Sequence, residues 1–123
     1  MPELNNKLSY NLSIEGQKEI TLRLQVKNQS NQPLKVIFDS AQEYDFVINK
    51  DGKQVWRWSE GKLFTMAVKE KTIEPGAVVE SMVVWSGSNL RGQKIERGQY
   101  DIQGYFLGNG QKIPVAQGQI KIS

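Results

Sequence analysis

The run Ile20-Thr21-Leu22-Arg23-Leu24-Gln25-Val26-Lys27 alternates without interruption between an apolar and a polar side chain. Successive side chains of a pleated strand point to opposite faces. Ile20, Leu22, Leu24 and Val26 therefore share one face, and Thr21, Arg23, Gln25 and Lys27 the other. That is the pattern of a strand buried on one side, and it predicts a strand over residues 18–28. Composition agrees: Val plus Ile number 20 against 13 for Leu plus Ala, a bias toward β-branched residues that pack well on a pleated surface.

Working outward, Gly16-Gln17 turns the chain, and residues 8–14 alternate again, with Leu8, Tyr10, Leu12 and Ile14 on one face. Downstream, Asn28–Pro33 (NQSNQP) is a loop by composition. Leu34, Val36 and Phe38 open a third strand, Asp39–Asp45 breaks the pattern, and Phe46 and Ile48 resume it. Lys50-Asp51-Gly52-Lys53 predicts a tight hairpin, because Asp-Gly supplies the two positive-φ positions of a primed turn. The return strand is expected over Gln54–Ser59, and another over residues 63–70, where Phe64, Met66 and Val68 alternate. Residues 77–85 (AVVESMVVW) are apolar on both faces, which predicts a central strand and a buried Trp85. Ser86–Gly98 is the longest polar stretch. Strands are expected over Gln99–Leu107, with Tyr100, Ile102 and Phe106 on one face, and near 113–122, with Gly108-Asn109-Gly110 as the loop between them.

Eight or nine short strands separated by turn signals predict an all-β fold, an antiparallel β-sandwich, and its immunoglobulin-like version fits one further detail. Gly98-x-Tyr100 at the start of a late strand matches a tyrosine corner, in which the phenol bonds back to nearby backbone; the alternative is an ordinary core tyrosine. With no repeat or linker in the chain, residues 1–123 are expected to form one domain.

The absence of Cys and His excludes a disulfide framework, thiolate metal sites and histidine-dependent triads. The formal charge is +3, but the lysines stand singly (Lys7, Lys18, Lys27, Lys35, Lys53) with no interleaved aromatics, so solvated strand faces are expected and nucleic-acid binding is not. Apolar runs are far too short to span a membrane as a helix, and Met1–Ile14 does not read as a secretory signal. A cytoplasmic location is the expectation.

Carboxylates cluster at Asp39, Glu43 and Asp45, but the spacing fits no calcium loop, and a solvated, turn-forming segment is expected. Ser86-Gly87-Ser88 lacks the G-x-S-x-G nucleophile elbow, and Gly108-Asn109-Gly110 lacks the third glycine and following helix of a phosphate cradle. No catalytic constellation, metal site or cofactor site is expected. Trp56 and Trp58, at i and i+2, would share a strand face. Exposed, they would form an aromatic platform for a sugar or a protein partner; turned inward, they are core.

The run YDFVINKDGKQVWRWSEGKLF (Tyr44–Phe64) resembles the signature of the intracellular proteinase inhibitor (BsuPI) family. Glu74-Pro75-Gly76, Trp85, Gly98-x-Tyr100 and Gly104 follow in matching order and spacing, so that the resemblance runs from about Phe38 to Leu107. Arg97 stands where the corner of many such domains has Pro, at some cost in turn rigidity. The resemblance implies an immunoglobulin-like inhibitor domain acting on a cytoplasmic serine protease of the subtilisin type by tight protein–protein binding. The alternative is a non-inhibitory module binding proteins or carbohydrate. The resemblance assigns no inhibitory residues.

If binding is substrate-like, the expected contact is the loop between Trp85 and Tyr100, centred on Asn89, Leu90 and Arg91, since function concentrates on long loops. Leu90 is the lone large apolar side chain within its polar centre. An exposed leucine would suit the apolar specificity pocket that the resemblance implies, with Arg91 adding a charge-assisted contact. The alternative is that Leu90 tucks under the loop as a satellite of the core. A second candidate surface is the turn Ser59–Phe64 beside the tryptophans, with Trp56, Trp58 and Lys62.

Overall fold

The computed structural model describes residues 7–122; Met1–Asn6, on which part of the signal reading rests, lie outside the described residues. Among these residues the chain forms nine strands: β1 Leu8–Glu15, β2 Ile20–Asn28, β3 Leu34–Phe38, β4 Tyr44–Lys50, β5 Lys53–Arg57, β6 Lys69–Ile73, β7 Val78–Trp85, β8 Gly98–Phe106 and β9 Ala116–Ile122. They make a three-stranded sheet of order β1-β2-β7, a four-stranded sheet of order β5-β4-β8-β9 and a β3-β6 ladder. All pairings are antiparallel.

The alternating faces give the layers. Ile20, Leu22, Leu24 and Val26 are buried with Phe46, Ile48, Tyr100, Ile102 and Phe106 in one continuous core. The two larger sheets meet across it. Tyr10 of β1 lies 6.2 Å from Phe106 of β8 between ring centroids, and Trp85 of β7 lies 6.4 Å from Tyr100 of β8. β9 and β1 also approach closely, since a Cβ at Gly118 of β9 would fall 2.7 Å from Ile14 Cδ1 of β1. Phe38 of β3 packs edge-on to Phe106 at 5.6 Å, which fastens the β3-β6 ladder to the same core. The hairpin at Asp51-Gly52 forms as expected, with φ of 51° and 78° and Lys50 paired to Lys53.

Three expectations need correction. Residues 63–68 form no strand; β6 begins only at Lys69. The alternation of Phe64, Met66 and Val68 has no sheet to receive it, and Met66 and Val68 stay 77% and 68% exposed. Strand β7 is an edge strand, bonded to β2 alone. Its inward residues Val83 and Trp85 are buried, while Val78, Met82 and Val84 face solvent; apolarity on both faces marked an exposed face here, not a central position. Asp45 is no solvated loop residue. It lies in β4 and is 3% exposed.

Residue Trp85 is buried at 1% exposure although its strand is not central. Its ring sits against Trp56 at 6.1 Å and Tyr100 at 6.4 Å, and its Nε1 donates to Ser88 O at 2.8 Å. Glu43, just before β4, is tied to β6 through Lys69 and Lys71, the latter at 2.7 Å. Partial burial pushes the Glu43 carboxyl up, but the two ammonium groups outweigh it and hold the carboxyl below its ordinary value.

Trp85→Ala should destabilise the fold by about 3–5 kcal/mol in chemical denaturation, the usual range for a buried aromatic; a loss under about 1 kcal/mol would show that the packing is wrong. Because the folded Glu43 carboxyl is depressed, its contribution is full above the unfolded value and is lost as pH falls through the folded one. Between about pH 6 and pH 3, Glu43→Gln should therefore lose less in melting temperature than the parent, and equal losses would contradict this.

Candidate functional site

The two groups of residues singled out in the sequence converge along one side of the sandwich, where the edges of β7 and β5 lie near each other. An open groove of about 620 Å³ runs between them, lined by Trp56, Trp58, Lys62, Met82, Val84 and Leu90 among others. Asn89 lines it as well; Arg91 lies beside it, on the neighbouring concavity with Lys50, Lys94 and Glu96.

The loop from Ser86 to Arg97 is tied at many points. Asn89 Oδ1 accepts from the backbone N–H of Arg91 and Gln93, each at 2.9 Å. Asn89 Nδ2 donates to Gln93 Oε1 at 3.0 Å, and Asn89 N donates to Gln93 O at 2.8 Å. Asn89 thus closes the tip on itself, as a short amide side chain can. The base is rooted in the core. Trp85 Nε1 holds Ser88 O, Tyr100 Oη donates to Glu96 O at 2.7 Å, and Lys50 Nζ donates to Arg97 O at 3.2 Å. The Tyr100 bond is the tyrosine corner expected from Gly98-x-Tyr100. Leu90 N donates to Val55 O at 3.2 Å, which fastens the tip to β5. The Leu90 side chain is 43% exposed, and Ile95, not Leu90, packs against the core from this loop.

The opposite wall is the end of β5 and the turn after it; the strand expected to Ser59 stops at Arg57, so Trp56 lies in β5 and Trp58 in the turn. Trp56 and Trp58 are half-buried against the core. Trp58 stacks on Tyr44 at 4.6 Å with 25° between the rings, and Lys62 Nζ lies 5.0 Å from its centroid. Phe64 packs on it at 5.9 Å. Tyr44, Lys62 and Phe64 take up much of the ring, so it stands partly covered and not as a free flat platform. The turn hangs from Asp45, whose Oδ1 accepts from Phe46 N at 2.9 Å and Ser59 N at 3.1 Å, and whose Oδ2 accepts from Ser59 Oγ at 2.6 Å and Arg57 Nη1 at 3.4 Å. A buried carboxylate with this many donors is a structural bracket. Asp39 and Glu43 do not join it, and among the described residues no group of acidic side chains could hold a metal ion.

Leu63 and Phe64 belong to the Ser59–Phe64 turn named from the sequence; what that reading missed is that the apolar residues from here to β6 stand in solvent. Leu63 is 99% exposed and is followed by exposed Met66 and Val68. The signal was present, since a half-turn of alternation with no partner strand assigned to it leaves large apolar side chains unplaced.

Residues 8–111 match the family described as BsuPI, intracellular proteinase inhibitor. No curated protein matches the chain. Among solved structures, the chain is similar to a Pseudomonas fluorescens alkylpurine DNA glycosylase, AlkC, bound to DNA containing an abasic site analog. Identity is 13% and the TM-score 0.55, over 95% of this chain and 30% of that one. It is also similar to beta-glucosidase 3B from Thermotoga neapolitana in complex with glucose, at 13% identity and a TM-score of 0.52, over 94% of this chain and 16% of that one. The beta-glucosidase EmGH1 from Erythrobacter marinus gives 13% identity and a TM-score of 0.53, over 94% and 15%. The chain therefore spans less than a third of these proteins, and at such identity the likeness is one of fold alone. The family match, by contrast, runs from the first strand to beyond the eighth, and the chain belongs to the BsuPI family of intracellular proteinase inhibitors.

Proposed function

We propose that this chain is a single immunoglobulin-like inhibitor domain that blocks a cytoplasmic serine protease of the subtilisin type by tight protein–protein binding. The observation that carries the reading is the family match over residues 8–111. The contact surface on this reading is the groove side of the sandwich: Asn89, Leu90 and Arg91 on one wall, Trp56, Trp58 and Lys62 on the other. No catalysis, metal or cofactor enters.

The physical requirements of an inhibitor support the assignment. A surface that binds without being ordered in the process avoids the entropic cost of fixing a flexible loop. Secreted inhibitors commonly meet this with disulfides; this chain has no Cys. The hydrogen bonds of Asn89, Trp85, Tyr100 and Lys50 do the same work for the loop. Leu90 stands partly exposed at its tip, where an apolar contact can form, and Arg91 beside it can pair with an acidic rim. A standard-sized interface of about 1,600 Å² in total would need the groove and both walls. The tyrosine corner supports the immunoglobulin-like form of the sandwich. A carbohydrate-binding reading finds less support, because Tyr44, Lys62 and Phe64 cover the Trp58 ring.

Titrating the pure protein against an intracellular subtilisin-type protease should abolish peptide hydrolysis near equimolar ratio, and undiminished hydrolysis at tenfold excess would reject the reading. Leu90→Asp should weaken inhibition by about tenfold or more, equivalent to about 1.4 kcal/mol, with an unchanged melting temperature. A variant that unfolds would place Leu90 in the core, and one that inhibits like the parent would remove the loop from the contact.

A further inference from the structure

From Lys62 to Val68 the backbone carries no turn or bend, and none of these residues has positive φ. Leu63 at its start is 99% exposed, Met66 77% and Val68 68%. Only Phe64 dips inward. A run of large apolar side chains held out in solvent is costly and marks a binding element.

The two ends of the run are fastened differently from its middle. On the N-terminal side, Lys62 N donates to Ser59 O at 3.0 Å, and Ser59 is gripped twice by the buried Asp45. On the C-terminal side, the Phe64 ring packs on Trp58 at 5.9 Å, and Thr65 O accepts from Ala41 N at 2.9 Å. Leu63 lies between these anchors with its own side chain free.

We infer that Leu63 is the residue that enters the primary specificity pocket of the protease, so that Leu63–Phe64 is the reactive peptide bond and Lys62–Val68 the strand laid into the cleft. The inference rests on the proposed inhibitory function and refines it, leaving Leu90 of the Ser86–Arg97 loop as a secondary contact. A backbone run free of turns, with its own ladder groups unpaired along most of its length, is the form in which a peptide adds to the edge of another protein's sheet. With the backbone fastened on both sides, seating Leu63 in an apolar pocket orders little beyond its own side chain.

The anchors also bear on the fate of the bond. Attack of the protease serine Oγ on the Leu63 carbonyl carbon forms an acyl ester and breaks the Leu63–Phe64 C–N bond. The serine proton passes through the protease histidine to the Phe64 nitrogen, which leaves as an amine. In an ordinary substrate that amine diffuses away. Here Phe64 stays against Trp58 and Thr65 against Ala41, so the amine remains beside the ester and re-forms the peptide bond, returning the proton to the serine. High effective concentration of the retained amine favours religation over attack by water.

The test compares the full-length parent with Leu63→Asp and Leu90→Asp against the same subtilisin-type protease, alongside mass spectrometry of a long incubation of parent with enzyme. Leu63→Asp should raise the inhibition constant by a hundredfold or more and exceed the effect of Leu90→Asp, with the melting temperature of each variant unchanged because both side chains are exposed. The incubation should yield a slow, single clip between Leu63 and Phe64, with the two pieces held together and still inhibitory. A parent that inhibits while Leu63→Asp inhibits equally well would overturn the inference and leave the inhibitory function standing. So would a clip elsewhere, or one at Leu63 followed by loss of inhibition. A parent that does not inhibit at all would remove both.

Discussion

A chain with no cysteine has no covalent staple for its connections, and several connections of this sandwich are held instead by hydrogen bonds rooted in the core. Asp45 is 3% exposed and Asn28 is fully buried. Neither is a defect, because each is satisfied by the loop it restrains. Asn28 Nδ2 donates to Gln32 O and Ile73 O at 2.8 Å, and its Oδ1 accepts from Ser30. Asp45 does the same for the turn after β5. A buried polar group costs several kcal/mol if left unpaired; with its partners supplied by a loop, the same penalty falls on any conformation in which the loop lets go.

That logic explains why the aromatic residues cluster where they do. Trp85 and Tyr100 each place a large ring in the core and spend the polar tip on a loop carbonyl. Burial of the ring contributes to the fold, and the tip fixes the Ser86–Arg97 loop. Trp56 packs on Trp85, and Trp58 on Tyr44 and Phe64. The aromatic network thereby runs from the core to both walls of the groove, and the stiffness of the walls is inherited from the core.

The strands with one covered face were legible in the sequence. β2 alternates because one face meets the opposite sheet, and β1, β3 and β8 follow the same rule. Gly98-x-Tyr100 read correctly because the corner is a local device. The errors arose where the deciding partner is remote. Whether 77–85 is central or edge depends on what lies beyond it in space, and nothing within the run says that Val78, Met82 and Val84 lack a neighbour. The alternation of Phe64, Met66 and Val68 promised a strand, but no strand comes to pair with it. Asp45 looked like loop chemistry beside Asp39 and Glu43, and its burial depends on Arg57 and Ser59, which reach it only once the hairpin has formed. For the contact surface, spacing alone picked out Leu90 and the tryptophans as separate candidates. Their convergence on one groove follows from the pairing of β4 with β5 and from the Leu90–Val55 hydrogen bond; nothing in the sequence singles out Leu63 within the Ser59–Phe64 turn, because exposure is a tertiary property.

The groove side and the outer face of the four-stranded sheet offer a partner different chemistry. The outer face is covered with hydrogen-bonded polar side chains, Gln99 to Gln119 and Gln119 to Asp101 among them. The groove is lined by exposed Met82, Val84 and Leu90, and Leu63 and Met66 stand exposed on the segment that follows Lys62 of its wall. Hydrogen exchange of the complex with a subtilisin-type protease distinguishes the two most directly. Binding should protect amides within Lys62–Val68 and Asn89–Gln93 while leaving exchange in β9 unchanged. Protection confined to β8 and β9, with the groove side exchanging as in the free protein, would contradict the assignment of the inhibitory surface.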